Sequence, residues 1–178
     1  LNAKKAADLK EMDLTLPPYV ISKGTLHPLT MTMQEINSIF MRMGFAIEEG
    51  PEIEEAKYNF TMLNFPEDHP AMDMHDTFHI DDKYLLRTHT SPIQIRAMQN
   101  RKPPFKIVAP GRVYRRDAVD ASHSPVFHQV EAFMVDENVR FSDLKGVLDT
   151  FAKEIFGGQL KTRFRPSFFP FTEPSAEV

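Results

Sequence analysis

Two adjacent segments constrain this chain more than any others: GRVYRRD at residues 111–117 and VFHQVEAFMVD at residues 126–136, separated by a short loop. Val113 and Tyr114 favour extended backbone and residues 126–135 alternate between two faces, so the pair reads as the two strands of a hairpin. One face of the second strand carries Val126, His128, Val130, Ala132 and Met134, which suit a core. The other carries Phe127, Gln129, Glu131, Phe133 and Val135, where two polar side chains lie among apolar ones. A buried polar group left unpaired costs roughly 1 to 3 kcal/mol, so Gln129 and Glu131 need partners. A ligand with a cationic amine would supply them.

The 178 residues are enough to bury a core and fit one domain. No apolar run of membrane-spanning length and no signal-peptide pattern occur, so neither a membrane span nor secretion is indicated. The absence of cysteine excludes disulfides and thiolate metal sites and is compatible with a reducing cytosol. A formal net charge of -4 argues against a surface dominated by phosphate attraction, although local basic clusters remain. Arg112, Arg115 and Arg116 form one. Lys161, Arg163 and Arg165 form another at alternate positions, which on a strand would share one face, either simply solvated or facing nucleic acid or an interface.

Along the chain, residues 1–12 read as the end of a charged helix closed off by Pro17 and Pro18. Leu29, Met33, Ile36, Phe40 and Met43 recur at helical spacing, with Thr32 and Glu35 at capping-box distance and Gly44 as the stop. Residues 45–49 read as a strand, 53–63 as a second helix and 64–75 as a loop. Segments 76–80 and 84–88 flank Asp81-Asp82-Lys83 and read as a hairpin. Thr90 or Ser91, followed by Pro92, opens a helix to about Gln99. Residues 105–109 are strand-like. Leu144, Val147, Leu148, Phe151 and Ile155 mark a helix with Ser142 as its cap and Gly157-Gly158 as its stop. Residues 160–165 and 168–172 are extended. Consecutive strands with helices set among them favour an α+β fold around a mainly antiparallel sheet.

Arg115 lies on an extended segment that runs through Arg116 and Asp117 into a loop containing His123. A guanidinium fork suits phosphate oxygens, and such a hairpin can close over a polyphosphate; an ordinary charged turn is the alternative. Phe127 could stack on a purine. His89, Thr90, Ser91 and Gln94 sit at a strand-to-helix junction, whose donors suit a carboxylate or simply cap the helix. Phe169 and Phe171, two apart in an extended segment, share one side and either fill a core or embrace a third ring. The seven histidines show no HExxH arrangement, and neither a Walker loop nor GxGxxG occurs.

Taken in order, DLTLPP, HPLTMTMQEI, FAIEEGPEIE, HPAMDMHDTF, LLRTHTSPIQIR, IVAPGRVYRRD, FHQVEAFMVD, LKGVLDTFAKEIF and RFRPSFFPFTEPSAEV resemble the bacterial phenylalanine-tRNA ligase alpha subunit family, class II aminoacyl-tRNA synthetases. The resemblance runs almost end to end. It implies a class II antiparallel sheet flanked by helices, with residues 28–51 as motif 1, an interface with a second alpha subunit. It implies that Arg115 meets the ATP α-phosphate, that Asp117 and His123 lie near ATP and that Phe127 stacks on adenine. His89, Ser91, Gln94, Gln129 and Glu131 would surround the amino acid's ammonium and carboxylate, and Phe169 and Phe171 its phenyl ring.

The implied reaction is formation of phenylalanyl-adenylate from ATP, with magnesium, and transfer of the acyl group to tRNA(Phe). The implied partners are a large beta subunit and a second alpha subunit in an α2β2 assembly, in the cytoplasm. At His79 the family often carries tryptophan beside the amino-acid pocket. Its glycine-rich motif 3 has no counterpart here, so the expectation is a catalytic-domain fragment, inactive alone, incomplete at the C-terminus. Residues 1–18 would be the end of a helical coiled-coil region and linker, and 19–178 a partial catalytic domain. The alternatives are a paralogue that activates an amino acid without charging tRNA, and a non-catalytic binding or regulatory module.

Overall fold

The structure, a computed structural model, describes residues 15, 24–65, 77–116, 118–169 and 172–178. The helix expected at residues 1–12 and most of the expected loop at 64–75 lie outside the described residues.

Helix α1 (Pro28–Arg42) starts where proline is best tolerated, since a first-turn N–H has no partner within the helix. His27 Nδ1 accepts the Leu29 N–H at 3.2 Å, so the helix opens on His27 and Pro28 rather than at the capping box expected from Thr32 and Glu35. Gly44 follows it at φ +85, the left-handed conformation that ends helices at least cost in glycine. Strands β1 (Ala46–Ile47) and β2 (Ile53–Glu55) come next. Residues 53–63, expected as one helix, divide into β2, a single turn α2 (Ala56–Asn59) and a 3-10 turn (Thr61–Leu63). Pairing with β3 (Tyr84–Leu86) draws residues 53–55 into extended backbone, which overrides helix propensity. The expected hairpin around Asp81 is present in the described part: His79 bridges Leu85, and Asp81 Oδ1 accepts the N–H groups of Lys83 and Tyr84.

Helix α3 (Pro92–Asn100) leads to β4 (Phe105–Tyr114), which continues through the two strand-like stretches on either side of Pro110. Proline is tolerated there because β1 pairs only with Ile107 and Val108, so no strand on that side asks for the missing N–H. Strand β5 (Val126–Val135) pairs antiparallel with β4 along its whole length, and β1 runs parallel to β4 on the other side. Helix α4 (Phe141–Phe156) begins one residue before the expected cap. The Asp143 carboxylate accepts the Arg140 N–H at 2.7 Å, which takes the capping role from Ser142. Strands β6 (Arg165–Phe169) and β7 (Thr172–Glu177) form a separate hairpin. The extended segments expected at 160–165 and 168–172 are thus shifted to 165–169 and 172–177, with Phe169 paired to Thr172. Lys161 and Arg163 precede the strand and do not share a strand face with Arg165, which pairs with Glu177 at 2.9 Å.

The sheet has two faces. Ile107 and Ala109 pack with Ile93 and Ala97 of α3, while Val108 packs with Phe40 and Phe45. Phe40 stacks on Phe151 at 5.2 Å, which joins α1 to α4 across that second face. Val130 packs against this core, and with Ala132 and Met134 it lines an apolar cavity of about 330 Å³, so this side of β5 meets the core only in part, Ala132 being exposed. Val126 and His128, nearer the hairpin loop, are exposed. No helix among the described residues is long and apolar enough to cross a membrane.

Candidate active site

The opposite face of β5 turns toward the start of α3. Residues paired across an antiparallel ladder share a face, so Glu131 lies beside Ala109, Gln129 beside Gly111 and Phe127 beside Val113. Small partners leave the polar side chains room. Ser91, the residue before α3, makes no capping bond with its side chain; its hydroxyl donates to the Glu131 carboxylate at 2.8 and 2.9 Å. Gln94 Nε2 donates to the same carboxylate at 2.8 Å, and Gln129 Oε1 accepts the Thr90 N–H at 3.3 Å. The protein itself therefore supplies partners that the pattern along the strand assigned to a ligand. These partners are neutral, and among the described residues no cation pairs with Glu131.

Residues 87–90 form a buried segment beneath the hairpin. The Arg87 guanidinium is clamped by carbonyls: Nε donates to Arg112 O at 2.8 Å and Nη1 to Gly50 O at 3.0 Å. It lies across Gly111, where an added Cβ would come within 2.0 Å of Nη2. The Arg87 backbone bonds on both sides, its N–H donating to Glu52 O and its carbonyl accepting from Tyr114 N–H. Burial lowers the Arg87 pKa and the Glu52 carboxylate opposes that shift. The Tyr114 hydroxyl donates to Glu52 and, with Arg112 3.1 Å away, holds that carboxyl below its ordinary value, while burial pulls the other way. Arg112 is thus committed to Glu52 and is not part of a free basic cluster with Arg115 and Arg116.

Arg115 leaves the end of β4 half-buried. Its Nε donates to Thr88 O at 3.3 Å and its guanidinium stands over the Phe127 ring at 5.0 Å. Among the described residues no acceptor holds its terminal nitrogens. In the loop, Asp120 gathers the N–H groups of Ser122 and His123, each at 2.7 Å, and faces His123 Nδ1 at 2.8 Å. These donors, the Ser122 N–H first, hold the Asp120 carboxyl down at about 2. The loop is therefore an ordered turn presenting His123.

The structure brings Ser91, Gln94, Gln129 and Glu131 into one hydrogen-bonded group and sets Arg115 against Phe127. His89 is buried in the segment between them. Phe169 lies in the separate β6–β7 hairpin, 41% exposed, and Asp117 and Phe171 lie outside the described residues. Arg87, Asn59, Thr88 and Asp120 were not singled out from sequence. Asp120 had a legible signal, an aspartate two residues before Ser122 that invites an Asx turn; the other three meet partners remote in the chain.

A family model for tRNA synthetases class II core domain (F) matches residues 11–178. The chain belongs to the class II tRNA synthetase core family. Among curated relatives, the phenylalanine–tRNA ligase alpha subunit of Desulforamulus reducens is 62% identical over 169 residues, 94% of this chain and 49% of that protein. The protein of the same name from Caldanaerobacter subterraneus is 56% identical over 177 residues, 98% of this chain and 52% of that one. This chain spans about half the length of the curated relatives it matches. A pyrrolysyl-tRNA synthetase structure from Desulfitobacterium hafniense shares the class II core fold at a TM-score of 0.62 and 18% identity, over 79% of this chain and 50% of that one. The mainly antiparallel sheet flanked by helices, expected from the strand pattern, is thus the class II core.

Proposed function

We propose that this chain supplies catalytic-core residues of a phenylalanine–tRNA ligase alpha subunit, with residues 19–178 as part of the catalytic domain and 1–18 leading into it. One observation carries the reading: a single strand face bears Glu131, Gln129 and Phe127 in that order, with Arg115 standing over the Phe127 ring. Four residues of strand separate Glu131 from Phe127, about 13 Å at roughly 3.3 Å per residue. That is a span suited to an amino acid joined through phosphate to a purine. The names of the relatives supply the choice of phenylalanine and tRNA(Phe).

In this reading the uncompensated Glu131 carboxylate, oriented by Ser91 and Gln94, receives the substrate ammonium, with Gln129 beside it. His89, buried in the same segment, is assigned to the amino acid with them. The phenylalanine carboxylate attacks the ATP α-phosphorus and pyrophosphate leaves. The free nitrogens of Arg115 stabilise the charge that grows on the phosphate oxygens, a contribution of positioning and electrostatics that needs no protein nucleophile. Phe127 stacks on adenine, while Asp117 and His123 border the phosphates. A hydroxyl of the terminal adenosine of tRNA(Phe) then attacks the acyl carbonyl and AMP departs. Phe169 and Phe171 are assigned to the phenyl ring. Magnesium would supply charge neutralisation at the ATP phosphates; among the described residues no three histidine or acidic side chains converge on a position that could hold it.

The assembly is with a beta subunit and, through residues 28–51, a second alpha subunit, in the bacterial cytoplasm. Phenylalanine-dependent ATP/pyrophosphate exchange, measured on the full-length chain with its beta partner, tests the reading. Arg115→Ala is expected to cut exchange about 100-fold, roughly 3 kcal/mol of transition-state stabilisation. Near-parent exchange in that variant would remove Arg115 from its role, and exchange with a different amino acid alone would overturn the specificity.

A further inference from the structure

Arg115 meets a backbone carbonyl on a residue that belongs to a buried polar pair. Asn59, the last residue of the single-turn helix α2, is fully buried, and so is Thr88. The Asn59 amide engages Thr88 twice. Its Nδ2 donates to Thr88 Oγ1 at 3.0 Å, and its Oδ1 accepts the Thr88 N–H at 3.2 Å. The carbonyl of the same Thr88 accepts Arg115 Nε at 3.3 Å. Only a short side chain carrying both a donor and an acceptor can make that two-point grip; aspartate lacks the donor and leucine has neither.

We propose that Asn59 is a positioning residue for Arg115, acting through Thr88, within the adenylate-forming site described above, on which the inference rests. An arginine side chain has many rotamers, and Nε is the atom that sets the plane of its fork. With Nε fixed on Thr88 O, the terminal nitrogens are held over the Phe127 ring instead of sweeping the loop. The neighbouring Arg87 clamp holds the same segment to Gly50 and Arg112 but does not contact the Thr88 peptide through its side chain. Asn59 holds the Thr88 side chain and N–H, one residue's backbone rotation away from the carbonyl that Arg115 Nε meets, while Tyr114 N–H holds the Arg87 carbonyl of the preceding peptide. A misplacement of about 1 Å at a reacting centre can cost on the order of 100-fold in rate, so a modest shift of Thr88 would be visible in turnover.

The test uses the full-length chain with its beta partner and reads phenylalanine-dependent pyrophosphate exchange together with the unfolding midpoint. Thr88→Val keeps the shape and removes the acceptor for Asn59 Nδ2; Thr88→Ser keeps it. The expected result is a fall in kcat of about tenfold for Thr88→Val and for Asn59→Ala, with the KM for phenylalanine within about twofold, and recovery in Thr88→Ser. In an Arg115→Ala background the same Thr88→Val change is expected to alter kcat less than about twofold, because the group it steers is gone. A purely structural role would lower kcat in both backgrounds alike, and that additivity would overturn the inference, as would parent-like kcat in Thr88→Val. Where Asn59→Ala does not fold, the Thr88 pair decides. A parent complex without any phenylalanine-dependent exchange would overturn the functional reading and this inference with it, whereas additivity in an active parent overturns the positioning alone.

Discussion

Replacing Gly111 by alanine puts one methyl group into the place of a buried charge. The new Cβ would stand 2.0 Å from Arg87 Nη2, 3.0 Å from its Cζ and 3.5 Å from Nη1. Ordinary contact begins near 3.4 Å, so the fork must move by about 1.4 Å. It has nowhere to go without releasing Arg112 O at 2.8 Å and Gly50 O at 3.0 Å. Each hydrogen bond from a charged donor contributes roughly 1.5 to 3 kcal/mol, so losing both sets an upper range of about 3 to 6 kcal/mol. Arg87 is an end group on a flexible stem and recovers part of this, which leaves an expected loss of about 3 kcal/mol, near the low end for stranding a buried charge. For a chain of this size that is a fall of roughly 6 to 12 °C in unfolding midpoint, read by circular dichroism. In an Arg87→Met background, whose thioether can bend aside, the same Gly111→Ala change is expected to cost less than about 1 kcal/mol. A midpoint within about 2 °C of the parent for Gly111→Ala alone would refute the reasoning, since it would mean that the clamp is not holding the guanidinium.

Glu54 is 1% exposed and takes a two-point bond from Arg96, at 2.6 and 3.0 Å. Arg96→Met should therefore destabilise by roughly 3 kcal/mol in urea unfolding, and adding Glu54→Gln should recover part of it, because the cost lies in the stranded carboxylate. Asp120 titrates at about 2 in the folded chain against an ordinary 3.8, so its turn contributes fully above pH 4 and is lost as pH falls through 2. A carboxyl titration followed by NMR should show that low midpoint, and one near 4 would mean that the turn holding His123 is not formed in solution.

Much of the fold was legible because the signals are local. The period-two alternation of residues 126–135 identified a strand with one apolar and one polar face, and Pro92 after Ser91 marked the start of a helix; β5 and α3 stand there. Residues 53–63 misled, since the extended backbone of β2 is set by its pairing with β3, some thirty residues further on. The β6–β7 hairpin was displaced for a similar reason: register belongs to the pair of strands and not to either alone.

The site divides along the same line. Sequence by itself determined which side chains share a face, because alternation along one strand follows from backbone geometry: Phe127, Gln129 and Glu131 had to point the same way. It also left open whether Ser91 caps its helix or meets the carboxylate of a ligand. Only the tertiary structure decided that Ser91 and Gln94 satisfy Glu131, that Arg87 fills the notch at Gly111 and that Asn59 holds Thr88. These contacts join residues about 25 to 40 apart in the chain. A buried polar group announces that it needs a partner; which partner reaches it depends on how separate elements pack.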